Sequence, residues 1–569
     1  MGDSFIIAID FGTTYSGYAF SITERNENIE PRLKYWGEEV GLETPKTPTC
    51  ILFDEQENFI SFGYKAKQSY VLKKNKEERK LLFFDCFKMS LYGKKPTKDL
   101  KITAANGKSM NALKVFTEAL RFLKDDALNF INITTAKKFL SSEFTWVLTV
   151  PAIWDPSAKQ FMREAATKAG IVTKDTENKL VIALEPEAAS LCCKKLPAEG
   201  FISVNQKENP TFADSPGTRY IVVDCGGGTI DMTVHEVLEG GGLKELHKAS
   251  GNNLGGQTVD RKFKEFLREI FSDGVWDEYE REHPSEVQKM IYDFTLFKKQ
   301  DADAEISCPY KLGDIAQKRK EIEQLFEGVQ GVSWDEGCIV IYKQKMHYFF
   351  SESLEGITKS IKEMFTKVQA IDYILLVGGY AESRVLRRHI NEEFNDDCKI
   401  LCPSRPQEAI LIGAVEFGRN PALVKSRKSA FTYGVCIIES FDKLIHRKEK
   451  KFTNEEGEWC NDIFMTLVTA DDDVGWDEIR TEILCPLEPD QTVINFTFYQ
   501  TEKKQVKYVD EVGVEEIGSF DIQSPDTTLG MKREIELKIK FGFTEITATA
   551  TDKETGSNQT VKLNFITKP

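Results

Sequence analysis

A chain of 569 residues with 41% hydrophobic content and a net charge of −15 has material for two to four domains with large cores. The acidic balance excludes nucleic-acid binding through a general basic face. No run approaches the ~18 apolar residues that a membrane-spanning helix needs. The twelve cysteines contain no CxxC pair, and the six histidines show no zinc-ligand spacing. Reduced thiols in a cytoplasmic protein are therefore expected. The N-terminus lacks a basic segment followed by an apolar stretch, so no secretory leader is expected.

The first element is a strand, Phe5-Ile6-Ile7-Ala8-Ile9. It runs into Asp10-Phe11-Gly12-Thr13-Thr14-Tyr15, and a second strand follows over 17–22. This predicts a hairpin whose turn carries an acid, a glycine and two hydroxyls. Thr47-Pro48-Thr49 and a short strand come next, then a charged run over 73–80 that reads as a solvated helix face, then Phe87-Lys88-Met89. Leu113, Phe116, Leu120, Leu123 and Ala127 share one face of a helix over 112–130. A strand ends at Val150-Pro151. Asp155-Pro156 caps and opens a helix that stops at Gly170. Another helix is expected to begin across 182–189, with Glu185 at its mouth. Residues 202–218 read as a polar loop between two halves.

The opening plan then recurs. Ile221-Val222-Val223 feeds Asp224-Cys225-Gly226-Gly227-Gly228-Thr229-Ile230-Asp231, and an alternating strand follows to Val237. Taken alone, either turn reads equally well as an ordinary Gly-containing hairpin. Two matching turns imply two similar halves, each presenting one hairpin to a phosphate. Glycines let main-chain N–H groups approach an anion closely. Carboxylates beside such turns suit Mg²⁺, which keeps waters and borrows substrate phosphates. Asn253-Leu254-Gly255-Gly256 precedes a helix over 259–270 and offers a further anion seat. Apolar spacing places helices near 285–300, 315–327 and 352–369. A strand over 371–377 ends in Gly378-Gly379 before a helix at 383–394, an arrangement that admits a phosphate or a flat ring. Pro406 opens the last helix. From about 430, alternating segments at 492–499, 534–540, 545–551 and 560–565 predict an antiparallel β-sandwich.

Together these motifs resemble, in order, the ATPase domain of the 70-kDa heat-shock chaperones, within the actin and hexokinase superfamily. The resemblance rests on Asp10–Ser16, Thr149-Val150-Pro151-Ala152, Glu185-Pro186, Asp224–Asp231, Asn253–Gly256, Leu376–Gly379 and Glu408–Ala414. A fainter match, Asp552–Gly556, lies near the end of the β-rich region. The implied fold is α/β: an actin-like nucleotide-binding domain over 1–420, with a second lobe about 218–392, a linker at 421–430 and a β-sandwich over 431–569 without a helical lid. Several departures mark an atypical branch. The segment Asn420–Lys428 lacks the acidic, Leu-rich linker of typical members. Tyr380-Ala381-Glu382-Ser383-Arg384 and Gln407 differ at the adenosine end, where Phe297-Lys298-Lys299 falls near the family's adenosine helix. The terminal acidic tetrapeptide that docks helper proteins is missing.

The resemblance implies ATP or ADP with Mg²⁺ as cofactor. Gly12, Thr13, Thr14 and Tyr15 would contact phosphates from one lobe, and Gly226, Gly227, Gly228 and Thr229 from the other. Gly255, Gly256, Gly378 and Gly379 would complete the nucleotide seat. Asp10, Asp224 and Asp231 would hold the hydrated metal. Lys88, Glu185, Asp224 and Thr229 would act in hydrolysis, by positioning and electrostatics. Glu185 reads alternatively as a helix-capping acid, and Lys88 as a packing lysine. The expected function is a chaperone-type protein whose β-domain holds unfolded or extended polypeptide, or a specific protein partner, under nucleotide control. The alternatives are a nucleotide-regulated interaction protein with little ATPase activity and a small-molecule kinase of the same fold.

Overall fold

The computed structural model describes residues 5–22, 30–72, 80–202, 211–476, 478–541 and 546–562. Most of the charged run at 73–80, loop residues 203–210 and the strand end at 563–565 lie outside the described residues.

Two sheets repeat one plan. In the first, Phe5–Phe11 runs parallel to Thr145–Val150 and antiparallel to Tyr15–Ile22. In the second, Arg219–Cys225 runs parallel to Tyr373–Val377 and antiparallel to Ile230–Val237. The central strands are buried on both faces, which their unbroken Ile and Val runs require. Register places Asp10 opposite Gly17 and Thr149, and Asp224 opposite Asp231 and Val377. Each acid therefore leaves its sheet at the corresponding end of its own hairpin.

One expected boundary moves. Leu180–Leu184 is not the start of a helix but a strand parallel to Thr145–Val150, and the helix begins at Glu185. Its β-branched residues fit a buried sheet, and Pro186 suits the first turn of the helix that follows. The helices Glu185–Cys193 and Ala409–Arg419 lie between the two sheets. They touch at the backbone: a Cβ on Gly413 would fall 1.6 Å from the Ala188 carbonyl oxygen. Ile6 and Ala8 of the first sheet and Val222 and Leu375 of the second share one apolar core with these helices. The outer faces carry separate cores, one under Ala112–Thr135 and Pro156–Lys168, the other under Gln257–Ile270 and Lys343–Lys367.

The segment expected as a linker at 421–430 is built into the fold. Val424–Lys428 forms a strand parallel to Leu243–Asn252, and Asp473–Gly475 pairs with its other side. The second-lobe sheet thus ends in strands from both sides of the expected boundary, eight in all. Arg427 on the new strand makes a bidentate ion pair with Glu187, its Nε lying 2.5 Å from Oε1. The Lys428 N–H donates to Glu245 Oε2 at 2.8 Å.

Beyond it, a five-stranded and a four-stranded antiparallel sheet face each other. Phe496 and Phe498 from one and Leu537, Ile539 and Ala548 from the other fill the space between. Burial alternates strictly along Ile546–Asp552, as a half-solvated sandwich requires. Among the described residues no α-helix follows Arg419, and none is long and apolar enough to cross a membrane.

Candidate functional site

The two acid-bearing hairpins meet across the cleft. A Cβ on Gly227 would fall 1.8 Å from Thr14 Oγ1, and one on Gly228 would fall 2.4 Å from Met89 Sδ. Neither site has room for a side chain, so the turns approach closely only because both residues are glycine. Gly378 has φ +84°, and a Cβ there would lie 2.3 Å from Asp224 Oδ1. Glycine is required at that position on both counts.

Asp10 is buried. Thr149 Oγ1 donates to its Oδ1 at 2.9 Å, and Lys46 Nζ donates to its Oδ2 at 2.5 Å. Lys88 Nζ donates to Glu185 Oε1 at 2.6 Å, with both side chains buried, and lies 5.2 Å from the Trp154 ring centroid. Thr229 Oγ1 donates to Asp231 Oδ2 at 2.9 Å, while the Ile153 N–H donates to Asp231 Oδ1 at 3.1 Å.

Gly12, Thr13, Thr14, Tyr15, Lys88, Glu185, Asp224, Gly226, Gly227, Thr229, Gly256, Gly378 and Gly379 line one cavity together with Asp10. Asp231 stands behind Thr229 and fixes its hydroxyl instead of facing the cavity. Gly255 also stands behind. Its N–H reaches the Gly228 carbonyl at 3.3 Å, and a Cβ on it would strike the Gly226 and Gly227 carbonyls at 2.7 Å. The Gly256 and Gln257 N–H groups bond the Gly226 and Gly227 carbonyls at 3.0 and 2.8 Å. This second turn holds the glycine loop from the rear, and the Gly226 N–H closes the loop on the Thr229 carbonyl at 3.0 Å.

Carboxylate charge dominates the site. Asp10, Glu185, Asp224 and Asp231 gather here, with Lys46 paired to Asp10 and Lys88 to Glu185. Burial, opposed by Lys88, pushes Glu185 from 4.5 up to about 7. Asp224 is raised well above its ordinary value, by burial first and then by Glu185, Asp231 and Asp10. Asp224 Oδ1 and Thr14 Oγ1 are buried with no hydrogen-bond partner among the described residues. An orphaned carboxylate oxygen in an acidic pocket suits a divalent cation. Among the described residues no trio of His, Cys, Asp or Glu is placed to ligate a metal directly. The fit is therefore to a hydrated ion that also takes phosphate oxygens, as Mg²⁺ does.

At the far end, Lys298 Nζ bonds both carboxylate oxygens of Asp260 at 2.6 and 2.7 Å and the Gly256 carbonyl at 3.0 Å. Lys299 pairs with Glu382 at 2.7 Å, and Gln407 Nε2 donates to the same carboxylate at 2.5 Å. The departures at 380–384 and 407 thus form one hydrogen-bonded rim with 298–299. Sequence reasoning missed Lys46, Thr149 as a partner of Asp10, and Gln257. Lys46 precedes the noted Thr47-Pro48-Thr49, but nothing in a sequence marks a lone lysine as buried.

Duplicated hairpins, each with an acid at its edge and glycines at its turn, facing across a cleft floored by two crossing helices, define an actin-like ATPase fold. A family model described as "Hsp70 protein" matches residues 6–293. Heat shock 70 kDa protein 12A of Mus musculus is 33% identical over 99% of this chain and 91% of its own length. Heat shock 70 kDa protein 12B of Homo sapiens is 32% identical over the same shares. The stromal 70 kDa heat shock-related protein of Pisum sativum chloroplasts is 26% identical over 54% of this chain and 38% of its own length. The chain belongs to the Hsp70 family, whose members bind ATP or ADP with Mg²⁺.

Proposed function

We propose that this chain binds MgATP between its two lobes, and that the bound nucleotide controls how the β-domain holds polypeptide or a protein partner. The observation that carries this reading is the buried, partnerless Asp224 Oδ1 beside Thr14 Oγ1, where the two glycine turns meet. Asp10 and Asp224 would hold the metal's hydration shell, with Asp231 fixing Thr229 from behind. The metal, when bound, supplies positive charge to the phosphates. The Thr13, Thr14 and Gly227 backbones would bind phosphate oxygens through N–H groups, with Gly226 shaping the turn through its bond to the Thr229 carbonyl, and Gly378-Gly379 would lie along the nucleoside side. Lys88 is fixed by Glu185 at 2.6 Å. It would neutralise charge on the terminal phosphoryl group, while Glu185 orients water for a slow hydrolysis. Control of the β-domain is supported by the strand at Val424–Lys428, whose Arg427 binds Glu187, two residues along the same helix from Glu185.

The test is a melting curve of the full chain with and without MgATP. Ligand at about 100 times its Kd stabilises the folded state by about 2.7 kcal/mol, so a clear upward shift is expected, and its loss in Asp224→Asn. A melting temperature that millimolar MgATP leaves unmoved would sink the reading. Single-turnover hydrolysis by wild type against Glu185→Gln separates a slow ATPase from a binder that does not hydrolyse.

A further inference from the structure

Lys46 has no part in the reading above, yet it is placed as a component of the site. It sits just before Thr47–Pro48, which pairs with Ser16 and Tyr15 at the mouth of the first hairpin. Only 6% of it is exposed, and its ammonium reaches Asp10 Oδ2 at 2.5 Å inside the cavity that Thr13, Thr14 and Asp224 also line. The route is prepared by the strand register. Asp10 lies opposite Gly17, and a Cβ on Gly17 would strike the Pro45 carbonyl at 2.7 Å and Lys46 Cγ at 3.1 Å. The missing side chain at position 17 is the space through which the Lys46 stem passes. Lys88 is held by Glu185. Lys46 is thus the cavity-lining ammonium that sits on the carboxylate at the metal seat.

We propose that Lys46 is a resident cation for the phosphates: it stands in for a divalent ion at Asp10, so that ATP and ADP bind without Mg²⁺. An ammonium is a compact point charge that binds phosphate oxygens with three donors. Its short reach from Asp10 leaves it directed at the same phosphates that a hydrated metal at Asp10 would meet. A metal entering beside Asp10 competes with Lys46 for the carboxylate and frees the ammonium for phosphate. Affinity is then nearly independent of metal. The proposal rests on nucleotide binding in this cleft.

The experiment is calorimetric titration of the full chain with ATP in EDTA and in Mg²⁺. Affinities within about fivefold of each other, less than one 1.4 kcal/mol decade, support Lys46 as the stand-in. Wild-type affinity falling by more than about fivefold in EDTA overturns it while leaving the nucleotide reading intact. No heat in either buffer overturns both. Lys46→Met should weaken binding in EDTA by at least about tenfold and recover most of that in Mg²⁺. Lys46→Arg, which keeps the charge beside Asp10 if Met destabilises the fold, should bind in EDTA more tightly than Lys46→Met. Equal affinity of Met and wild type in EDTA would overturn the proposal.

Discussion

Arg427→Met tests whether the strand at Val424–Lys428 is held by its buried ion pair. Arg427 is 7% exposed, Glu187 is fully buried, and two parallel N–H···O bonds join them. Removing one member of such a pair leaves an uncompensated buried charge, at a cost of about 3–5 kcal/mol. Here the chain has an escape: the strand can leave the sheet and let water reach Glu187. The cost therefore falls on the docked arrangement, and the ratio of docked to undocked molecules should drop by roughly two to nearly four orders of magnitude. Hydrogen exchange reads this directly. Amides over 424–428, and those of Leu243–Asn252 and Asp473–Gly475 that pair with them, should lose at least about 100-fold in protection, with little change over 145–150. The double variant Glu187→Leu with Arg427→Met should regain most of the loss, because apolar groups of similar size replace both charges. Unchanged protection in Arg427→Met would refute the argument, since a buried Glu187 could not then depend on its partner.

Further outcomes follow from the helix crossing and from the site. Gly413→Ala should destabilise the chain by about 1–3 kcal/mol or more, because its Cβ would meet the Ala188 carbonyl at 1.6 Å where helices cannot part without opening the shared core; a denaturant midpoint equal to wild type would contradict the crossing. Burial raises Glu185 against the pull of Lys88, so its contribution to stability is complete below 4.5 and is lost as pH rises through about 7. Stability against pH should therefore fall across that window in wild type and flatten there in Glu185→Gln. If Glu185 orients water as a carboxylate, single-turnover hydrolysis should rise over the same window with a midpoint near 7, and a flat profile would remove it from that role.

Much of the lobe architecture was readable because it is written twice. One glycine turn is ambiguous, but Asp10–Thr14 and Asp224–Asp231 sit in the same strand–turn–strand frame, and the structure pairs them in matching registers. The β-sandwich was legible from strict alternation, as in Ile546–Asp552. Contacts across long sequence distance were not legible. Gly255 looked like an anion seat and proves to brace Gly226–Gly228, because a Gly-Gly before a helix looks the same whether it faces a ligand or another turn. Val424–Lys428 reads as a polar connector, since two lysines and an arginine conceal a strand whose partners lie at 243–252 and 473–475. Lys46 was invisible for a similar reason: its burial depends on a glycine across the hairpin.

The shared sheet also sets the order in which this chain can become complete during synthesis. Leu243–Asn252 is made long before Val424–Lys428, the strand that covers it, and Asp473–Gly475, which covers that strand in turn. Until residue 475 leaves the ribosome, the second lobe carries an open strand edge, with unpaired N–H and C=O groups ready to join another chain. A fragment cut between the lobes and the β-domain would keep that edge permanently, along with Glu187 and Glu245 stripped of Arg427 and the Lys428 N–H. The smallest piece that closes its own second-lobe sheet therefore runs to Gly475, inside the β-rich region.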